Sequence, residues 1–255
     1  MNALNQWFRG IDLDRIIQWA MYAVAALIAI CVHESAHGLS AYWLGDDTAK
    51  RQGRISLNPL HHLDPFGFLM MVVAHFGWAK PVPVNPYRMT KIKNPKVGMA
   101  LTAAAGPISN ILLALIFGLL MEISGIEFYE KFYAGTIGIH NFRYYVYLFF
   151  AINFVLNTGL AIFNLIPISP LDGSKILAIV LPERIYRQLM LYERYGFLIL
   201  MGLLFLGWLD GPLTFLRGGL IRGIYALTLP IARLLTGTDL TAGWLRYQFE
   251  LMVGL

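Results

Sequence analysis

The sequence predicts an all-α polytopic membrane protein, on three observations. Over its 255 residues it is 57% hydrophobic and only 14% charged, well below the roughly 25% charged residues of a soluble domain. Several apolar runs reach the ~20 residues needed to cross a hydrocarbon core. The basic residues sit in short loops between those runs, the distribution that keeps Lys and Arg on the cytoplasmic side of a membrane. That distribution also explains the net charge of +5 without nucleic acid, because the cations build no continuous face.

The elements follow in chain order. A first spanning helix is expected from about Ile16 to Leu44, a second from Val97 to Met121, a third from Tyr144 to Pro167 and a fourth from Tyr195 to Leu209. The first is expected to be retained: its apolar run from Trp19 continues to Leu44 without a small-x-small cleavage site, whereas the apolar core of a cleaved leader stops after about 7–15 residues. Between the first two lies a shorter apolar piece, LDPFGFLMMVVAHFGW, residues 63 to 78. Lys50, Arg51 and Arg54 precede it, and Lys80, Arg88, Lys91, Lys93 and Lys96 follow without an intervening acid. A segment with both flanks on the cytoplasmic side does not cross, so 63 to 78 is expected to be re-entrant or half-inserted, its backbone covered by protein or lining a wet cavity, with a short tilted fifth span as the alternative.

The later loops extend the same pattern. Glu122, Glu127, Glu130 and Lys131 mark an acid-biased external connection, and Lys175, Arg184, Arg187 and Arg194 a cytoplasmic one. The first and third helices therefore both run from outside to inside. Residues 1 to 210 are expected to form the core, and 211 to 255 a C-terminal amphipathic or membrane-associated region. There Arg217, Arg222 and Arg233 punctuate apolar sequence, a pattern that fits an interfacial helix or an arginine-bearing span equally.

Into this setting CVHESAHGLSAYWLG, residues 31 to 45, brings two histidines and a glutamate. His33 and His37 are four apart and share one helix face, with Glu34 on its flank. That spacing lets two imidazoles hold one zinc ion while the carboxylate reaches the attacking water. Ionisable groups at membrane depth cost several kcal/mol unless partnered. A metal accounts for all three residues at once, and a polar cluster joining helices for none in particular. The single cysteine, Cys31, rules out an intrachain disulfide and a multi-thiolate cluster, and it faces about 200° away from His33 on the helix.

Zinc needs a third protein ligand. The soluble pattern would place a histidine at position 43, which is Trp43, and no glutamate occurs between Glu34 and Glu122. Asp172, in NLIPISPLDGSKIL, lies just past the cytoplasmic end of the third helix, and the histidines lie in the cytoplasmic half of the first. Charge bias thus places His33, His37 and Asp172 at one depth, provided Pro167 and Pro170 stop the helix and the Asp172-Gly173 turn aims the carboxylate inward.

HESAH in the first core helix, AAGPISN (104 to 110) in the second and NLIPISPLDG (164 to 173) after the third together resemble the site-2 protease family of intramembrane zinc metalloproteases. HFGWAKPVPVNPYRM (75 to 89) is similar to the same segment of its compact bacterial members. The likeness covers roughly residues 15 to 195. The stretch from 46 to 97 is too short for the PDZ domain many relatives insert, and the tail after 210 too short for CBS domains. The expected architecture is a core of three transmembrane helices carrying the zinc site, with a re-entrant segment and additional C-terminal helices. The resemblance implies one zinc per chain held by His33, His37 and Asp172, with Glu34 as general base and Asn164 in the catalytic pocket. It further implies a transmembrane-helix protein as substrate, cut within the lipid of a bacterial cell membrane by a site in its cytoplasmic half.

Within that frame Asn164 is expected to donate its amide to the substrate backbone or the developing oxyanion, with an interhelical hydrogen bond as the alternative. The prolines of KPVPVNP suit an edge strand or extended loop that pairs with an extended substrate, or else a plain turn. Gly106, Pro107 and Asn110 are expected to serve helix packing, and His61, His62, His75 and His140 to be interfacial or loop residues, His75 being the nearest of them to a site role. The six histidines form no repeated clusters, which disfavours a di-iron hydroxylase. The alternative to a protease is a non-proteolytic zinc-binding transporter or scaffold, which has no need of Glu34.

Overall fold

The structure is a computed structural model that describes residues 13–64, 67, 80–133 and 141–237, without the side chains of 127–133, 183 and 186–194. The helices are α1 (Leu13–Trp43), α2 (Thr48–Arg51), α3 (Pro95–Tyr133), α4 (Phe142–Asn164), α5 (Asp172–Leu177), α6 (Glu183–Phe205) and α7 (Asp210–Thr236), with short 3-10 turns at Pro59–His61 and Pro86–Arg88. No strand occurs among the described residues. Four helices are long and apolar enough to cross a membrane: α1, the Pro95–Ile126 part of α3, α4 and α7. The chain is an all-α, multi-pass membrane protein.

The central helix is α3, which packs against α1, α4, α5 and α7. Its sequence explains the role. Ala100, Ala103, Asn110, Ala114 and Met121 are buried along one face, while Leu101, Ile108, Leu112 and Ile116 are about half exposed on the other. Small residues let helices approach closely where lipid offers no hydrophobic contrast, and the leucine and isoleucine stripe suits acyl chains. Away from the site, Ala114 and Met121 of α3, Tyr147, Ala151 and Phe154 of α4, and Ile221, Ile224 and Tyr225 of α7 form one core.

Two contacts fix the relative directions. At one end the Lys91 N–H donates to the Leu44 carbonyl at 3.0 Å, so the end of α1 lies beside the start of α3. Gly45 makes that approach possible: its φ is 108°, and a Cβ there would lie 2.9 Å from the Thr90 nitrogen. At the other end the Tyr145 hydroxyl donates to Asp14 at 2.5 Å, so α1 and α4 start together. The first and third spans are parallel, as the charge pattern predicts.

The fourth span differs from expectation. Only Tyr195–Phe205 of α6 is apolar, about 16 Å of helix, half of what a hydrocarbon core requires. Leu200 of α6 instead packs on Ile166 and Leu171, next to Leu213 of α7. From there α7 runs the depth of the bundle to Thr228, whose hydroxyl donates to Glu122 at 2.8 Å. Arginines and Pro230 lower the hydropathy of this helix to 1.2, against 1.9 to 2.0 in the other three, which obscures a span in the sequence. Glu122 belongs to no loop: it is fully buried in α3.

Most of the 63 to 78 segment, with His75, lies outside the described residues, as do His140 and residues 238 to 255. The chain on either side of that segment meets itself: the Lys80 N–H donates to the His62 carbonyl at 2.9 Å. His61 is an exposed loop residue, whereas His62 is buried and its Nε2 donates to the Ser56 carbonyl at 2.6 Å. Lys50 and Lys93 are both exposed at this end. Single cysteines at these two positions, in a Cys31→Ser background, should react with a membrane-impermeant maleimide from the same side; labelling from opposite sides would contradict the arrangement.

Candidate metal centre and active site

His33 and His37 project from successive turns of α1 toward α3. Each ring is oriented by its Nδ1. His37 Nδ1 lies 2.7 Å from the Thr102 carbonyl, which can only accept, so this nitrogen carries the proton. His33 Nδ1 lies 2.6 Å from Asn110 Oδ1. The Asn110 amide is itself fixed, because its nitrogen donates to the Ala29 carbonyl at 3.3 Å and to Asn157 Oδ1 at 2.9 Å. Both imidazoles are therefore Nδ1–H tautomers that present a bare Nε2 to the same point.

Asp172 completes the set. It opens α5 rather than sitting in a turn, and Gly173 explains how it reaches back. A Cβ on Gly173 would collide with the carbonyls of Leu165 and Ile166, so only glycine lets α5 fold onto the end of α4. Asp172 Oδ2 lies 3.2 Å from His33 Nε2 and 3.1 Å from His37 Nε2, and the two Nε2 atoms are 3.0 Å apart. These separations are short enough for one ion at a zinc–ligand distance of about 2.0–2.1 Å to be held by all three atoms. The donors, two neutral imidazoles and a carboxylate, suit zinc.

Gly106 makes this convergence possible. A Cβ there would lie 2.5 Å from His33 Cε1 and from His37 Nε2, so any side chain would push the rings out of place. The AAGPISN motif does more than pack helices. Its glycine admits the two imidazoles and its asparagine orients one of them.

A cavity of about 280 Å³ opens in front of the three groups, and Glu34, Asn164 and Lys175 also line it, together with Pro81, Val82 and Val84. Glu34 Oε2 accepts the Val82 N–H at 3.0 Å. Asn164 faces the cavity while its amide donates to Leu160 of its own helix at 3.1 Å, not to a neighbouring helix. Lys175 Nζ stands 3.9 Å from Asp172 Oδ1. Cys31 is buried on another face, outside the cavity lining.

Outer-shell partners of metal-bound histidines are typically worth 10–100-fold in metal affinity. Asn110→Ala should therefore weaken zinc binding by about that factor, measured by competition with a chelator, and Gly106→Ala should also weaken it. Parental affinity in Asn110→Ala would show that something else orients His33.

Comparison with known proteins adds to this geometry. Residues 21–207 match the sequence model of Peptidase family M50. The chain is 39% identical over 194 residues to the "Putative zinc metalloprotease YwhC" of Bacillus subtilis, covering 74% of this chain and 84% of that protein. It is 27% identical over 184 residues to the "Putative zinc metalloprotease Rip2" of Mycolicibacterium smegmatis, covering 70% and 64% respectively. With the "Putative zinc metalloprotease MJ0611" of Methanocaldococcus jannaschii it shares 33% over 113 residues, 44% of this chain and 48% of that one. No solved structure gives a significant match. The family match encloses HESAH, AAGPISN and NLIPISPLDG and leaves α7 outside. A buried His, His, Asp set that fits zinc, a family match over most of the chain and relatives named as zinc metalloproteases lead to one conclusion: the chain belongs to peptidase family M50, the site-2 protease family, and is a multi-pass membrane zinc metallopeptidase.

Proposed function

We propose that this metallopeptidase is an intramembrane protease of the site-2 type, in which His33, His37 and Asp172 hold one zinc per chain and Glu34 is the general base. The observation that carries the reading is the convergence of those three ligand atoms within 4.8 Å of one another, in a cavity that Glu34 also lines and at one end of membrane-crossing helices. Zinc at that point supplies Lewis acidity, activating a water and polarising the scissile carbonyl. Glu34 takes the proton of the attacking water and returns it to the leaving amine. The Val82 N–H engages only one oxygen of that carboxylate, which steadies it and leaves the other for the proton.

The substrate is a transmembrane helix of another membrane protein. Its scissile bond is shielded by helical hydrogen bonds, so the strand must unwind locally and find other partners. The segment Lys80–Asn85 offers them: among the described residues the Val82 carbonyl and both polar backbone groups of Val84 make no hydrogen bond, and both residues line the cavity. An extended substrate can pair along this edge. Asn164 uses one amide proton on Leu160 and keeps a second for the substrate backbone or the oxyanion. Closure of the chain between His62 and Lys80 supports 63 to 78 as a re-entrant element. The lysines and arginines around 50 to 54 and 80 to 96 support a cytoplasmic position for this end in a bacterial cell membrane.

Two variants test the assignment. Asp172→Ala should lose most of the zinc that the parental chain retains after gel filtration, and full retention would remove Asp172 from the ligand set. Glu34→Gln should keep its zinc while cleavage of a proven single-span substrate falls by about 10²–10⁴-fold, the usual contribution of a general base, and the uncut complex should be recoverable in detergent. Cleavage at the parental rate would sink the mechanism.

A further inference from the structure

The cavity wall Lys80–Asn85 has an unusual problem of support. With prolines at 81 and 83, it carries only the N–H groups of Lys80, Val82, Val84 and Asn85, too few for a sheet ladder. It is nevertheless fixed against Glu34. Two buried charges on the connection after α1 hold its ends. Arg54, 6% exposed, donates through one terminal nitrogen to the carbonyls of Lys80 at 2.6 Å and Pro81 at 3.2 Å. Asp46, 0% exposed, accepts the Asn85 N–H at 2.6 Å on one oxygen and the Thr48 N–H and hydroxyl at 3.0 and 2.5 Å on the other.

Neither charge has a counter-ion among the described residues, and a buried charge held by neutral groups alone is costly to maintain. The placement gives that cost a purpose. The cation takes carbonyls at the start of the segment and the anion takes an N–H at its end, so the chain between them is held at both ends. Val82, in the middle, turns its N–H to Glu34 Oε2 at 3.0 Å. Its side chain rests on α1 where Gly38 leaves the helix bare: a Cβ there would lie 3.3 Å from Val82 Cγ1 and 3.0 Å from Ile55 Cγ1.

We propose that Arg54 and Asp46 are positioning residues for the hydrolysis. They clamp the two ends of Lys80–Asn85 so that the Val82 N–H braces the Glu34 carboxylate and the free backbone groups of Val82 and Val84 face the substrate. Neither residue touches the substrate or the metal ligands. The inference rests on the reading of Glu34 as the base, and its test has a readout independent of that reading.

Hydrogen exchange of the full, zinc-loaded chain in detergent reads the clamp directly, because the segment has so few amides. In the parental protein Lys80, Val82 and Asn85 should be protected and Val84 should exchange fast. Arg54→Lys keeps the charge but replaces a rigid planar donor by a flexible point donor. It should release Lys80 and Val82, keep parental zinc, and slow cleavage of a proven substrate by about 10- to 100-fold, as small misplacements in an active site do. Val82→Pro, which deletes the N–H facing Glu34, should be non-additive with it: the double variant should be no slower than the slower single one. Should Arg54→Lys fail to fold, Asp46→Asn loosens the other end and should release Asn85 with a similar loss of rate. Unchanged protection in the folded variants overturns the clamp. Lost protection with parental cleavage, or effects that multiply in the double variant, overturns its role in catalysis. Parental activity in Glu34→Gln would instead overturn the assignment of the base and leave the exchange result to judge the clamp.

Discussion

Two imidazoles buried between helices can aim their Nε2 lone pairs at one ion only if each Nδ1–H is given to an acceptor that cannot move. In this protein both acceptors come from α3: the Thr102 carbonyl for His37 and the Asn110 amide oxygen for His33. The central position of α3, its small-residue face and the absence of a side chain at Gly106 all follow from that requirement. Asp172 can close the set because α4 runs parallel to α1 and ends where α5 folds back over Gly173. Change the direction of either helix and the carboxylate arrives at the wrong end of the bundle.

The polar groups that this arrangement puts into a membrane interior are linked in sequence rather than scattered. Asn110 passes from His33 to Asn157, and Asn157 donates in turn to the Asn153 carbonyl at 2.8 Å. All three asparagines are fully buried. Interhelical hydrogen bonds in membranes are worth about 1 kcal/mol each, so the ladder contributes modestly to stability. Its larger effect is on geometry, since it ties the tautomer of His33 to the register of α3 against α4. At the far end Glu122 and Thr228 pin α7, which lies beyond the region matched by the family, to α3 by the same kind of contact.

Much of this was legible in the sequence where chemistry depends on side-chain spacing or charge. HESAH announces two imidazoles on one face, and the loop charges predict that α1 and α4 run parallel, which brought Asp172 into consideration. The acceptor for His37 was illegible, because a backbone carbonyl has no letter of its own. Asn110 read as a packing residue because nothing in AAGPISN says which neighbour its amide meets. Arg54 contributes only to a charge bias in the sequence and nothing there singles out Asp46, because burial cannot be seen from local composition. Glu122 reads as part of a loop for the same reason, and the arginines of α7 obscure it as a span. Sequence pattern shows which groups can bind a metal, and packing decides what holds those groups still.

Everything in this site depends on the coordination of zinc, and X-ray absorption at the zinc edge of the purified protein measures that most directly. Two imidazoles and one carboxylate predict nitrogen and oxygen scatterers at about 2.0–2.1 Å, the outer-shell signature of two histidine rings, and one ring fewer in His33→Ala. A sulfur scatterer near about 2.3 Å, or a spectrum unchanged in His33→Ala, would contradict it.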